Sequence, residues 1–157
     1  MDYTKICESN RAEINQFIKE HWYSTKMVVR GQEFDMSEME GVVAYNGGQI
    51  IGLITYMFRN RICEIMSLDS LEEKQGIGTA LLNMVIQEAK ENNIQKVVLI
   101  TTNDNINAIR FYQKRGFDMV NLYRNILDVS RKLKPEIPLI GENDIPLRHE
   151  IEFEMIL

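Results

Sequence analysis

The residues best suited to chemistry form a short turn at positions 73–80, which reads Glu-Lys-Gln-Gly-Ile-Gly-Thr-Ala. An apolar strand pattern precedes this turn, and an amphipathic helix pattern follows it. The first amide groups of a helix have no partner within the helix and carry partial positive charge, so they bind anions. Glycine lets the backbone approach a phosphate oxygen without an intervening Cβ. The spacing of Gly76 and Gly78 therefore predicts a turn that binds a diphosphate.

Two common nucleotide-binding motifs do not match this turn. The Walker motif needs a lysine directly after its second glycine, and Thr79 stands there. The dinucleotide fingerprint needs a small residue where this chain has Leu81. A Gly-x-Gly pattern alone also occurs in tight turns that bind no ligand, so at this point the class of ligand stays open.

Hydrophobic periodicity predicts the elements that must position these residues. Apolar runs between turn signals predict strands at 2–7, 42–45, 50–58, 62–68, 96–101, 117–122 and 149–157. Apolar residues at helical spacing predict helices at 11–21, 81–89, 105–115 and 123–133. Residues 22–40 are predicted to be irregular, and so are residues 134–148, which contain all 3 prolines. Alternation of strands and helices is typical of α/β layering.

Three local patterns make sharper predictions. Asn10 followed by Glu13 is the spacing of a capping box, in which the side chains of both residues close a helix start. A period of two within 62–68 places Glu64 on the same strand face as Ile62, Met66 and Leu68. The last strand alternates glutamates with apolar residues, which predicts a half-buried antiparallel strand with an exposed acidic face.

The turn and a second motif together resemble the GNAT superfamily of N-acetyltransferases. That family's coenzyme A motif, Gln/Arg-x-x-Gly-x-Gly/Ala, is matched by residues 73–78, except that Glu73 replaces the usual Gln or Arg. A carboxylate is unfavourable beside a diphosphate, so we expect Glu73 to point away. The family's second motif, Asn-x-x-Ala-x-x-x-Tyr-x-x-x-Gly-Phe, is matched at every position by Asn105, Ala108, Tyr112, Gly116 and Phe117. The resemblance covers residues 40–122 well.

The resemblance implies an α/β (α+β) fold with a mixed, mostly antiparallel central sheet that is flanked by helices and splayed between its fourth and fifth strands. It implies one acyltransferase domain over residues 1–157, with a helix and loop inserted at about 123–148 before the last strand. It also implies acetyl-CoA as the cofactor. The residues expected to bind it are Leu68, Ser70, Lys74, Gln75, Gly76, Ile77, Gly78, Thr79, Ala80, Asn105 and Tyr112.

The same resemblance implies direct attack of a primary amine, from a small molecule or a peptide, on the thioester in a ternary complex. Tyr112 is the expected acid that protonates the departing thiolate, and Glu64 is the expected general base. The alternatives are that Tyr112 only packs and that Glu64 only forms a salt bridge, with Arg61 for example. The acceptor loop of this fold corresponds to a segment with aromatic and charged side chains, namely Trp22, Tyr23, Arg30, Glu33 and Asp35.

Composition narrows the remaining classes of function. The net charge of −5 and the lack of a long basic cluster argue against a nucleic-acid partner, so the charge gives no support to a third hypothesis, ribosomal or tRNA acetylation. No apolar run is long enough for a membrane span, and 2 distant cysteines suit a reducing, cytoplasmic compartment without a metal site. The competing hypothesis is a non-catalytic module that binds acyl-CoA as a sensor. An exposed last strand would also make a homodimer one assembly to expect.

Overall fold

The computed structural model describes residues 1–72 and 75–157, so Glu73 and Lys74 of the predicted phosphate turn lie outside the described residues. The chain divides into two units. The first unit holds Met1–Lys26, Asp35–Val97 and Leu157, and the second holds Met27–Phe34 and Val98–Ile156. Within the described residues, no helix is both long enough and apolar enough to cross a bilayer.

The elements follow the predicted order, with one addition. In chain order they are β1 (Asp2–Lys5), α1 (Arg11–Trp22), β2 (Lys26–Val29), β3 (Gln32–Asp35), β4 (Glu40–Asn46), β5 (Gln49–Arg59), β6 (Ile62–Ser70), α2 (Ile77–Glu91), β7 (Lys96–Thr102), α3 (Ile106–Lys114), β8 (Asp118–Tyr123), α4 (Ile126–Leu133) and β9 (Glu150–Ile156). Short 3₁₀ turns lie at Met36–Glu38 and Glu142–Asp144. The predicted α/β (α+β) class with a mostly antiparallel central sheet and flanking helices is confirmed. The splay between two strands stays a prediction.

The first unit is an antiparallel meander in the order β1-β4-β5-β6. Gly47 and Gly48 connect β4 to β5 with φ of 58° and 81°, as the Asn-Gly-Gly hairpin pattern predicts. Helix α2 packs closely on β5, since a Cβ added at Gly52 would lie 2.7 Å from Ile77 Cγ2. The helix start is therefore fixed to the sheet by a contact that only glycine permits.

A β-bulge at Met66 decides which side chains of β6 share a face. Thr55 pairs with Ser67 and Tyr56 pairs with Ile65, so Met66 is the extra residue. Directly opposite residues project on the same side of a sheet. Glu64, Ser67 and Asp69 therefore share one face of β6, which we call the acidic face. Leu68 lies on the opposite face, and the prediction that it shares a face with Glu64 is wrong because the bulge breaks the alternation.

The second unit arranges its long strands in the order β7-β9-β8. Strand β9 thus lies between two neighbours, and the prediction that the last strand is the exposed edge is wrong. The side of β9 that carries its glutamates is also partly covered, because Glu150 is buried and its Oε1 accepts a hydrogen bond from the Arg30 amide at 2.7 Å. The edge of this unit is β8, whose first five residues are exposed.

Residues 22–40 are more ordered than predicted. They contain the hairpin β2-β3, whose turn residues Arg30 and Gly31 have φ of 51° and 71°, as a two-residue hairpin turn requires. The turn is held by tertiary contacts, since a Cβ on Gly31 would lie 3.0 Å from Val129 Cγ1 in α4. Sequence periodicity missed this hairpin because each strand has only four residues.

Helix α1 begins without the predicted capping box. The Asn10 side chain forms no capping hydrogen bond to the helix. Its amide group instead donates to the Lys5 carbonyl at 3.0 Å, and its Oδ1 accepts from the Cys7 amide at 2.7 Å. Asn10 therefore ties the helix start back to the end of β1.

The segment 134–148 is ordered by polar side chains of the second unit. The Arg131 guanidinium donates to the carbonyl groups of Pro138 at 2.7 Å and Leu147 at 2.5 Å. The buried Asp104 carboxylate accepts from the Glu142 amide at 2.8 Å, and Asn103 Nδ2 donates to the Pro146 carbonyl at 2.9 Å. These contacts satisfy backbone groups that would lack partners in an irregular loop.

Candidate active site

The predicted phosphate turn adopts the geometry of a helix N-terminus that is open to a ligand. Gly76 precedes α2 with φ of 73°, and a Cβ added there would meet nothing within 4 Å. The first bond of the helix runs from the Ala80 amide to the Gly76 carbonyl at 2.9 Å. The amides of Ile77 and Gly78 come before that bond and have no acceptor within the helix. These features fit a diphosphate.

Buried contacts hold the turn in place while its outer residues stay accessible. Ile77 is buried with 1% of its surface exposed, whereas Gln75 and Gly76 are exposed. Ser70 pairs with Gly52 across β5 and β6, which places it on the face that α2 covers. Its hydroxyl donates to the Glu72 carbonyl at 3.2 Å. Leu68 pairs with Ile54 and lies on this same face.

Glu64 lies on the acidic face of β6 and is almost fully buried, with 1% of its surface exposed. Its Oε1 accepts a hydrogen bond from the Arg59 guanidinium, so the charge of this carboxylate is balanced by a cation. Ser67 on the same face shares a hydrogen bond of 2.6 Å with Thr55. A line of polar groups therefore crosses a sheet face that is otherwise apolar.

Asp69 is a site residue that the sequence analysis missed. The Trp22 indole, at the end of α1, donates to Asp69 Oδ2 at 3.1 Å. Burial raises the pKa of the Asp69 carboxyl, and the hydrogen bond from Trp22 partly offsets this effect. The alternation of β6 read from the sequence could not find this pair, because the bulge at Met66 turns Asp69 onto the face that α1 covers.

Tyr112 lies in the second unit with its ring fixed by other aromatic rings. It is 7% exposed and makes edge-on contacts with Phe111 and Phe117 at centroid distances of 5.1 and 5.6 Å. The Phe153 ring of β9 lies 6.2 Å away. These contacts orient the phenol ring, because one ring from α3 and two rings in or beside the strands hold it. The proton-donor role of its hydroxyl stays a prediction.

Asn105 caps helix α3. Its Oδ1 accepts a hydrogen bond from the Ala108 backbone amide at 3.1 Å, which gives the asparagine of the second motif a structural role. Gly116 ends the same segment with φ of 91°, the left-handed conformation that glycine favours. A contact of Asn105 with the coenzyme stays a prediction.

The five predicted acceptor residues divide between the two units. Trp22, Tyr23 and Asp35 belong to the first unit, and Arg30 and Glu33 belong to the second. Tyr23 ends α1 with φ of 64° and an exposed ring. Asp35 accepts from the Ser37 amide at 2.9 Å, which lowers the pKa of its carboxyl. The Arg30 guanidinium lies 3.9 Å from Glu152, and Glu33 is exposed.

Comparison with known proteins identifies the family to which this chain belongs. The family model for the Acetyltransferase (GNAT) family matches residues 7–117, which is more than half of the chain. This chain belongs to the GNAT acetyltransferase family. Membership confirms the predicted acyltransferase class, and both GNAT-like motifs fall within the matched range or at its end.

Relatives of this GNAT chain include proteins of nearly equal length. The uncharacterised protein YxbD of Bacillus subtilis is 44% identical over 152 residues, covering 96% of each chain. Streptothricin acetyltransferase A of the same organism is 48% identical, but only over 44 residues, or 28% of this chain and 25% of that one.

Solved GNAT structures resemble the fold. A GNAT family acetyltransferase from Elizabethkingia anophelis, with acetyl-CoA bound, is 28% identical over 78% of each chain with a TM-score of 0.67. The structure of an IAA acetyltransferase from Bacillus cereus aligns over 99% of each chain, with a TM-score of 0.71 and 22% identity. The ligand of the first structure is the cofactor that the sequence predicts for this chain.

Proposed function

We propose that this GNAT protein transfers an acetyl group from acetyl-CoA to a primary amine of a small molecule or a peptide. The observation that carries the proposal is the open start of α2, where Gly76 has positive φ and the amides of Ile77 and Gly78 have no acceptor within the helix. Backbone groups of residues 75–80 hold the diphosphate, and Leu68 and Ser70 bind the pantetheine arm. The side chains of Lys74 and Asn105 are the other proposed contacts with acetyl-CoA.

The chemistry requires a neutral amine, a stabilised oxyanion and a protonated leaving group. When bound, acetyl-CoA supplies an activated acyl group in thioester form. An alkylammonium has a pKa of about 10.4, so reaching its neutral form at pH 7 costs about 5 kcal/mol. Glu64 serves as the base that receives the proton, and the amide near Leu68 stabilises the oxyanion. Tyr112 donates a proton to the departing thiolate.

Thiol release in the presence of an amine panel tests this proposal. The panel contains a diamine, lysine, a peptide with a free N-terminus, and streptothricin, which the name of one relative suggests as a small-molecule acceptor. Sustained turnover that requires both acetyl-CoA and one amine supports the enzyme. Tight binding of acetyl-CoA with no turnover across the panel supports the non-catalytic sensor instead.

Replacing Glu64 with glutamine is expected to change the pH dependence of kcat/KM. The substitution keeps the shape of the buried side chain but removes the group that accepts a proton, so the limb of the profile that reports the base should shift or disappear. Rates from pH 6 to 10 measure this effect, with thermal unfolding to verify that the variant folds. An unchanged profile in a folded variant would remove Glu64 from the mechanism and leave it as the partner of Arg59.

We extend the proposal to a cytoplasmic homodimer that meets along β8. This strand is the free edge of the second unit, and its exposed Met119, Val120 and Leu122 lie beside the unpaired backbone. Asp118 begins the strand and Arg124 follows its end, so antiparallel pairing of two copies brings opposite charges together at both ends. The exposed thiol of Cys7 suits a reducing compartment.

A further inference from the structure

We propose that Asp69, oriented by Trp22, is the carboxylate that binds the ammonium group of the acceptor. This inference rests on the proposed function and names the residue that makes the site prefer a cationic amine. It differs from the base role of Glu64, because Asp69 holds the acceptor and is not required to take its proton.

The charge balance of the acidic face distinguishes its two carboxylates. Glu64 is buried against the Arg59 guanidinium, so a cation already neutralises it. Among the described residues, the hydrogen-bond donor to Asp69 is the neutral Trp22 indole. His21 lies near enough to lower the pKa of the Asp69 carboxyl, but its Nδ1 contacts the Phe17 carbonyl and no described cation forms an ion pair with Asp69. A partly buried carboxylate without an ion-paired cation is costly, and an arriving ammonium group lowers that cost.

The second oxygen of Asp69 is available to a ligand. Trp22 donates to Oδ2, and no described residue donates a hydrogen bond to Oδ1. Among the described residues, Oδ1 is also not a buried atom without a partner, so it reaches the surface of this partly buried site. One oxygen is thus fixed by the protein and the other is free to accept from an ammonium group.

The position of Asp69 on β6 suits an acceptor that approaches opposite to the coenzyme. Asp69 directly follows Leu68, whose backbone belongs to the proposed thioester site, and consecutive Cα atoms are about 3.8 Å apart. Leu68 and Ser70 lie on the face that α2 covers, whereas Asp69 projects towards α1. Substrates that enter from these two faces would meet at this part of β6.

The test uses steady-state kinetics of the full chain with the amine that the panel turns over fastest. Asp69→Asn is expected to raise KM for that amine at least about tenfold, because it removes a charge-assisted hydrogen bond. The kcat should change less than threefold, and the Kd for acetyl-CoA should stay unchanged. Trp22→Phe keeps a ring but loses the donor, and should raise KM to an intermediate value.

Asp2→Asn is the matched control, since it makes the same chemical change at an exposed residue of β1. It should leave KM for the amine unchanged. A folded Asp69→Asn variant whose KM stays within twofold of the wild type overturns the inference. So does a variant that loses kcat alone, because a residue that only positions the sheet would change catalysis without changing amine binding.

A second measurement does not depend on turnover. Trp22 is the one tryptophan of the chain, so its indole N–H resonance reports on Asp69 directly. Butylammonium should shift this resonance saturably in the wild type and not in Asp69→Asn, whereas neutral butanol should shift it in neither. Equal shifts from both probes, or none, overturn the ammonium site. Failure of the proposed function would instead leave acetyl-CoA unbound or every amine unreacted.

Discussion

Replacing Tyr112 with phenylalanine is expected to lower kcat about a hundredfold, because the departing thiolate loses its proton donor. The ring contacts with Phe111, Phe117 and Phe153 depend on the aromatic ring and not on the hydroxyl, so the variant should keep the packing of the second unit. Thiol-release kinetics measure kcat, and calorimetry should give a Kd for acetyl-CoA within threefold of the wild type.

Tyr56→Phe is the matched control for the loss of a tyrosine hydroxyl. Tyr56 is also buried, with 1% of its surface exposed, and its hydroxyl donates to Glu88 at 2.7 Å. Its removal should lower the thermal midpoint but leave kcat within twofold. A Tyr112→Phe enzyme with kcat within twofold, under conditions where chemistry limits the rate, would show that Tyr112 only packs.

The second large effect is expected at the start of α2. Gly76→Ala should weaken acetyl-CoA binding at least tenfold, which corresponds to about 1.4 kcal/mol. The new Cβ would project into the open space beside the helix start, where the diphosphate is expected. The φ of 73° also costs an alanine about 1–2 kcal/mol, so part of the population should adopt a different turn.

Gly48→Ala separates the effect of strain from the effect of binding. Gly48 has φ of 81°, and a Cβ added there also meets nothing within 4 Å, but it lies in the hairpin turn between β4 and β5. Both variants should lose similar stability in urea unfolding, whereas calorimetry should detect weaker binding only in Gly76→Ala. Equal acetyl-CoA affinities in the two variants would contradict the proposed role of the turn.

Local patterns predicted most of the elements and the motifs of the site. Residues 73–80 were identified as a strand-to-helix turn because glycine spacing and helical periodicity depend on neighbours in the chain. The Asn105 cap and the Gly116 helix end also depend on nearby residues, since one bonds the amide three residues later and the other needs a positive φ. Strand β5 is one residue longer at both ends than predicted, and β7 is one residue longer at its C-terminal end.

These local patterns could not predict contacts between segments that are far apart in the chain. The hairpin β2-β3 is stabilised by Val129 and Glu150, about a hundred residues away in the chain, and its short strands carry too little periodicity to be seen alone. The edge position of β8 was missed because strand order in a sheet depends on pairing between remote strands.

The amino-acid sequence by itself determined the family, the glycine turn before α2 and the aromatic helix that carries Tyr112, because each is encoded within about a dozen adjacent residues. Only the tertiary structure decided which acids of β6 face together. A single extra residue at Met66 reverses the direction of every later side chain in that strand, and pairing with β5 is what places the bulge there. The Trp22–Asp69 contact, and with it the proposed ammonium site, follows from that pairing.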